Sequence, residues 1–143
     1  AGMRQKVVTV GKITSIEDCY NASPDSMRAA IRTLRDTAGN KKIAVLGDML
    51  ELGDYAETAH TQVGEMIGEY GIDYLLAYGK DAAFYVSAAK NSGCKNAFLF
   101  DDKDALTKKL LEITNDGDAV IFKGSRGMKL DDVIKSAYKV WEK

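Results

Sequence analysis

The 143 residues, 45% of them hydrophobic, can bury one core and fit a single domain spanning 1–143. The 20 basic and 21 acidic side chains leave a formal charge of -1 with no run of one sign, which argues against a nucleic-acid partner or an anionic membrane surface. Cys19 and Cys94 lack the spacing of a zinc site or a disulfide scaffold, no stretch approaches the roughly 20 apolar residues of a membrane helix, and no signal pattern opens the chain, so a reducing cytoplasm is expected. The opening Ala1-Gly2-Met3-Arg4-Gln5 is not an initiator context, and the domain is expected to be part of a longer chain.

In chain order, the β-branched runs Lys6 to Val10 and Ile13 to Ile16 flank Gly11-Lys12, a two-residue connection that predicts a hairpin. Ser23 then offers an N-cap and Pro24 a first helical position, with Met27, Ile31 and Leu34 at helical spacing. Short apolar runs follow at Ile43 to Leu46, Tyr74 to Tyr78, Ala97 to Phe100 and Ala119 to Phe122. Helical patterns separate them, with Val63, Ile67 and Tyr70 in one and Leu106, Leu110 and Ile113 in another; Val133, Ala137, Val140 and Trp141 give a last helix. Strand and helix in alternation predict a three-layer α/β, Rossmann-like domain. Its sheet has about six mostly parallel strands, an antiparallel hairpin at the amino end and helices on both faces.

Ligands of such sheets gather at the carboxyl ends of the strands, where loops and helix amino termini converge. Three loops there are unusual. In Asp18-Cys19-Tyr20-Asn21-Ala22-Ser23-Pro24-Asp25-Ser26-Met27, the helix start explains Ser23 and Pro24 but not Asp18, Tyr20 or Asn21. Asp18 suits a sugar hydroxyl pair, and a cluster of turn-forming residues explains the loop equally well. In Gly47-Asp48-Met49-Leu50-Glu51-Leu52-Gly53, two acids sit among apolar neighbours and suit either a ligand amine or a neighbouring domain; leucines filling the core are the plain alternative. In Lys123-Gly124-Ser125-Arg126-Gly127-Met128, two cations flank a glycine and a hydroxyl, a pattern for phosphate or carboxylate, or else a solvated turn.

His60, the only histidine, has no second ligand at helical spacing, so a metal site is not expected and a surface or capping role is. The chain has neither the glycine-rich phosphate loop ending in Gly-Lys-Ser/Thr nor a Gly-x-Gly-x-x-Gly opening a helix, so a self-contained nucleotide site is disfavoured.

Together the three loops, with His60 and Val63-Gly64 after the second, resemble the C-terminal domain of the Mur ligases over nearly the whole chain. The first two resemble those of the branch that adds D-alanyl-D-alanine. The resemblance implies an ATP-dependent amide-forming ligase of peptidoglycan synthesis whose N-terminal domain binds UDP-N-acetylmuramoyl-tripeptide. Its central domain holds the phosphates and Mg. Neither domain lies within these 143 residues, so the chain by itself is expected to be inactive. By the same likeness, Arg4 and Asp18 meet the ATP ribose, with Tyr20 and Asn21 along that edge. Lys123, Ser125 and Arg126 face the reacting phosphate or the dipeptide carboxylate, and Asp48, Glu51 and His60 fall on the substrate side. Cys19 stands where an acid or serine is usual, and Ser23 where asparagine is frequent. Other readings are a non-catalytic Rossmann-type module for a small anion or a partner protein, and the same domain of a sister ligase.

Overall fold

The computed structural model describes residues 5–19 and 21–143. Strands β1 (Lys6–Val10) and β2 (Ile13–Asp18) form the expected hairpin, with Gly11 at φ 60 in the turn. Helix α1 (Pro24–Asp36) leads to β3 (Lys42–Gly47), α2 (Ala56–Glu69) to β4 (Tyr74–Tyr78) and α3 (Ala82–Asn91) to β5 (Asn96–Phe100). Helix α4 (Lys103–Ile113) then returns the chain to β6 (Ala119–Lys123), and α5 (Asp131–Trp141) ends it. The six strands lie in the order β1-β2-β6-β3-β4-β5, all parallel except β1.

Alternation along each strand divides the core in two. Ile16, Ala44, Leu46, Leu75, Ala77 and Ile121 face a layer built from Met27, Ile31 and Leu34 of α1, Val63 and Ile67 of α2, and Tyr85 and Ala89 of α3. On the opposite face Ile43, Val45, Leu76, Val120 and Phe122 meet Leu106 and Leu110 of α4 and Val133, Ile134 and Ala137 of α5. The three layers are thus α1, α2 and α3, then the sheet, then α4 and α5.

Helix α1 starts as the sequence predicts. Ser23 accepts from the Ser26 amide, the Ser26 hydroxyl accepts from the Ser23 amide, and Pro24 occupies the first turn. Four strands run further than their hydrophobic patterns predict, β3 by Lys42 and Gly47 and β5 by Asn96. β2 continues through Asp18 and β6 through Lys123, because these two residues are register partners and the parallel ladder extends to include both. Their polarity hides strand residues as loop residues.

Candidate functional site at the strand ends

Parallel pairing of β2 with β6 puts Asp18 beside Lys123 at the carboxyl edge of the sheet. The Lys123 Nζ donates to Asp18 Oδ1 at 2.9 Å and to the Asn21 carbonyl at 2.9 Å. The Gln5 side-chain Nε2 donates to Asp18 Oδ2 at 3.2 Å. Side-chain exposure is 1% for Lys123 and 15% for Asp18. An ionised carboxylate has about four lone-pair positions, so Asp18 keeps accepting capacity beyond these two bonds and a partly open face through which to use it.

Lys123, expected to face the reacting phosphate or the dipeptide carboxylate, is buried and paired with groups of this chain. A buried lysine must be paired, and its partners are Asp18 at the end of β2 and the Asn21 carbonyl in the loop that follows. Asn21 itself is exposed, and its carbonyl is the group in use. Arg4 and Tyr20, the other two residues assigned to this edge, lie outside the described residues. Beside the pair, the Cys19 thiol donates to the Phe122 carbonyl at 3.3 Å. Burial, with the charges of Asp18 and Glu17 nearby, pushes that thiol up to about 12.

The second and third loops meet each other. The Ser125 amide donates to the Asp48 carbonyl at 3.0 Å and the Leu50 amide donates to Ser125 Oγ at 2.8 Å. The Ser125 hydroxyl proton is still available for a ligand, since that oxygen acts only as acceptor towards Leu50. Arg126 opens the 3-10 turn Arg126–Met128 and is exposed. Glu51 is exposed too, in the left-handed region at φ 63, which a non-glycine residue seldom adopts.

Asp48 is 3% exposed. The Asp81 amide donates to its Oδ2 at 3.1 Å, while its Oδ1 is buried without a hydrogen-bond partner. Burial raises the pKa of this carboxyl above its ordinary value, opposed by the hydrogen bond from the Asp81 amide. A cavity of about 400 Å³ adjoins it, lined by Asp48, Tyr78, Gly79, Lys80, Asp101 and Met128. Gly79, at φ 130, leaves room for the carboxylate, since a Cβ there would lie 2.3 Å from Asp48 Oδ1.

His60 is not at the surface. It is wholly buried on α2, tilted against the Tyr85 ring with centroids 4.7 Å apart. Its helix packs its apolar side inward, and the ring follows because both nitrogens find backbone partners. Four residues around the cavity, Tyr78, Gly79, Lys80 and Asp101, escaped the sequence reading. The loops after β4 and β5 are short and ordinary in composition, and only their position beside Asp48 marks them. Among the described residues, no three of His, Cys, Asp or Glu gather where they could hold a metal ion, and no helix is long and apolar enough to cross a membrane.

Comparison with known proteins bears on these features. Residues 3–126 match the model of the family described as Mur ligase, glutamate ligase domain. The UDP-N-acetylmuramoyl-tripeptide–D-alanyl-D-alanine ligase of Bacillus subtilis is 42% identical over 137 residues, which are 94% of this chain and 30% of that protein. The crystal structure of MurF ligase from Thermotoga maritima in complex with ADP superposes with a TM-score of 0.80 at 28% identity, covering 95% of this chain and 30% of that one. A MurF structure from Acinetobacter baumannii gives a TM-score of 0.85 at 26% identity, covering 94% of this chain and 30% of that one. The chain therefore spans a little under a third of the length of these relatives.

Proposed function

Because the chain belongs to the Mur ligase family through its glutamate ligase domain, we propose that it is the C-terminal domain of an ATP-dependent carbon–nitrogen ligase. In this proposal the whole enzyme adds D-alanyl-D-alanine to UDP-N-acetylmuramoyl-tripeptide in cytoplasmic peptidoglycan synthesis. A UDP-substrate domain and a central ATPase domain complete it, and the central domain holds the phosphates and magnesium. The observation that carries the reading is the Asp18–Lys123 pair fixed at adjoining ends of β2 and β6.

Asp18 is the proposed acceptor for the ATP ribose hydroxyls, with Arg4, Tyr20 and the Asn21 loop along the same edge. Lys123 works by position. It holds the Asp18 carboxylate and the Asn21 carbonyl in one arrangement before nucleotide arrives, so binding spends little on ordering them. Arg126, exposed at the rim, is the cation proposed to meet the transferring phosphate or the dipeptide carboxylate, and Ser125 offers its hydroxyl proton beside it.

The unpaired Asp48 oxygen suits the ammonium group of the incoming dipeptide, because a buried acceptor without a donor gains most from a cation that brings N–H groups. Glu51 stays at the outer rim of that substrate side. The γ-phosphoryl group of ATP would pass to the tripeptide carboxylate, leaving ADP and an acyl phosphate. Attack by the dipeptide amine then forms the amide and releases inorganic phosphate. Domain closure would bring the fixed charges of this domain to the reacting groups and exclude water.

The test is the enzyme with its upstream domains in place. Dipeptide-dependent release of phosphate from ATP, with formation of the UDP-linked pentapeptide, is expected. Phosphate release that no dipeptide stimulates, across the D-amino-acid dipeptides, would overturn the assignment.

A further inference from the structure

The segment from Gly47 to Leu50 is held residue by residue, by groups from separate parts of the fold. The Tyr85 hydroxyl donates to the Gly47 carbonyl at 2.9 Å, and the Asp81 amide donates to Asp48 Oδ2 at 3.1 Å. The Met49 amide donates to His60 Nε2 at 3.0 Å, and the Leu50 amide donates to Ser125 Oγ at 2.8 Å. Burial keeps the Tyr85 hydroxyl protonated well above the ordinary tyrosine range, with Asp48 and Asp81 adding to the effect, so it remains a donor.

His60 is the member whose chemistry is most constrained. A backbone amide can only donate, so the Nε2 facing Met49 carries no proton. A backbone carbonyl can only accept, so the Nδ1 lying 2.7 Å from the Ala56 carbonyl carries it. The ring is therefore neutral, in one tautomer, and braced between the first turn of α2 and the peptide that follows Asp48. Met49 is 1% exposed, so without His60 its amide has no water to turn to. An apolar side chain would fill the same volume against Tyr85 but leave the Met49 amide unpaired, with that peptide held only at the Asp48 carbonyl, by the Ser125 amide at 3.0 Å, and so able to tilt. Its tilting would carry the Asp48 carboxylate with it.

We infer that His60 is a positioning residue: through the Met49 amide it holds the Asp48 carboxylate in place at the edge of the adjoining cavity, and so sets affinity for the incoming ammonium group rather than the rate of bond formation. The inference rests on the proposed seating of the dipeptide amine at Asp48. An interaction that serves ground state and transition state alike appears in KM and leaves kcat alone.

In the ligase with all its domains, His60→Leu is expected to raise the KM for D-alanyl-D-alanine about tenfold, with kcat and the KM for ATP changed by no more than about twofold. His60→Gln, whose Oε1 reaches the place of Nε2, should restore most of the loss. His60→Asn, which reaches only the place of Nδ1, should not. Equal defects in the Gln and Asn variants, or a fall in kcat with KM intact, would overturn the inference, and the Gln and Asn pair decides it even where His60→Leu does not fold. Because His60 is the only histidine, ring nitrogen-15 spectra of the 143-residue chain give a second readout. They should show a protonated Nδ1 and a bare Nε2; the opposite tautomer defeats the proposal. Asp48→Asn separates the two ideas. If it raises the dipeptide KM while His60→Leu does not, the inference alone falls, and an unchanged KM in Asp48→Asn takes the seating of the amine down with it.

Discussion

Replacing Lys123 by Met tests whether the Asp18–Lys123 pair is a structural clamp. At 2.9 Å and an effective dielectric near 20, the gross attraction is about 6 kcal/mol, most of which offsets the dehydration of two charges. The net loss on breaking the pair comes from the partner left behind. Asp18 keeps the Gln5 side-chain Nε2 and some water, so the cost should sit near the lower end of the usual range for a broken buried pair, about 3 kcal/mol. For a domain of this size that corresponds to roughly 9 °C in Tm. Asp18→Asn should cost a similar amount, since the Lys123 charge, at 1% exposure, then meets only neutral acceptors. The double variant should lose less than its two singles together, by about 2 kcal/mol of coupling. Urea unfolding of the four proteins measures this, and repetition in 1 M salt should leave the coupling largely intact, because buried charges are poorly screened. Single effects that add to within about 0.5 kcal/mol, or a coupling abolished by salt, would refute the reasoning. In the whole ligase, both single variants should raise the KM for ATP together.

Other consequences can be checked on the same chain. The folded-state pKa of Asp48 is raised by burial, so its ionisation weakens the fold as pH rises through that value. Asp48→Asn should therefore stabilise the domain at pH 7 and lose that advantage below about pH 3.9, where the unfolded carboxyl is protonated too; equal gains at both pH values would contradict the assignment. The Cys19 thiol, pushed up to about 12, should react with an aromatic disulfide at pH 8 far more slowly in the folded chain than in urea, and equal rates would show that the thiol is not desolvated. Gly64→Ala should cost about 1–3 kcal/mol despite alanine's better helix propensity, because the new Cβ would lie 2.3 Å from the Tyr85 carbonyl oxygen and force α2 and α3 apart. A rise in Tm would show that the two helices have slack.

Local signals in the sequence carried much of the architecture. Tyr74 to Tyr78 stands in the structure as the hydrophobic run marks it, Gly11-Lys12 makes the hairpin, and Ser23 with Pro24 starts α1. These depend on residues within a turn or two of each other. The site depends on distant ones. That Asp18 and Lys123 are register partners follows from β6 lying next to β2, which no periodicity encodes. His60 read as a surface or capping residue, and its burial is tolerable because the Met49 amide and the Ala56 carbonyl satisfy both ring nitrogens. The unpaired oxygen of Asp48 was equally hidden. Its surroundings come from the loop after β4, and Gly79 matters only once the carboxylate is seen against it.

The strand order bears on how the molecule comes together. β6 is the last strand along the chain, yet it separates β2 from β3, and Lys123 reaches an Asn21 carbonyl 102 positions away. Before β6 slots in, the sheet is two unjoined pieces, a hairpin and a three-stranded ribbon, each with an open edge. Closing so long a loop is entropically slow and is rewarded only at the end. A half-assembled chain therefore lacks the Asp18–Lys123 pair, which arrives in one late step together with the keystone of the sheet.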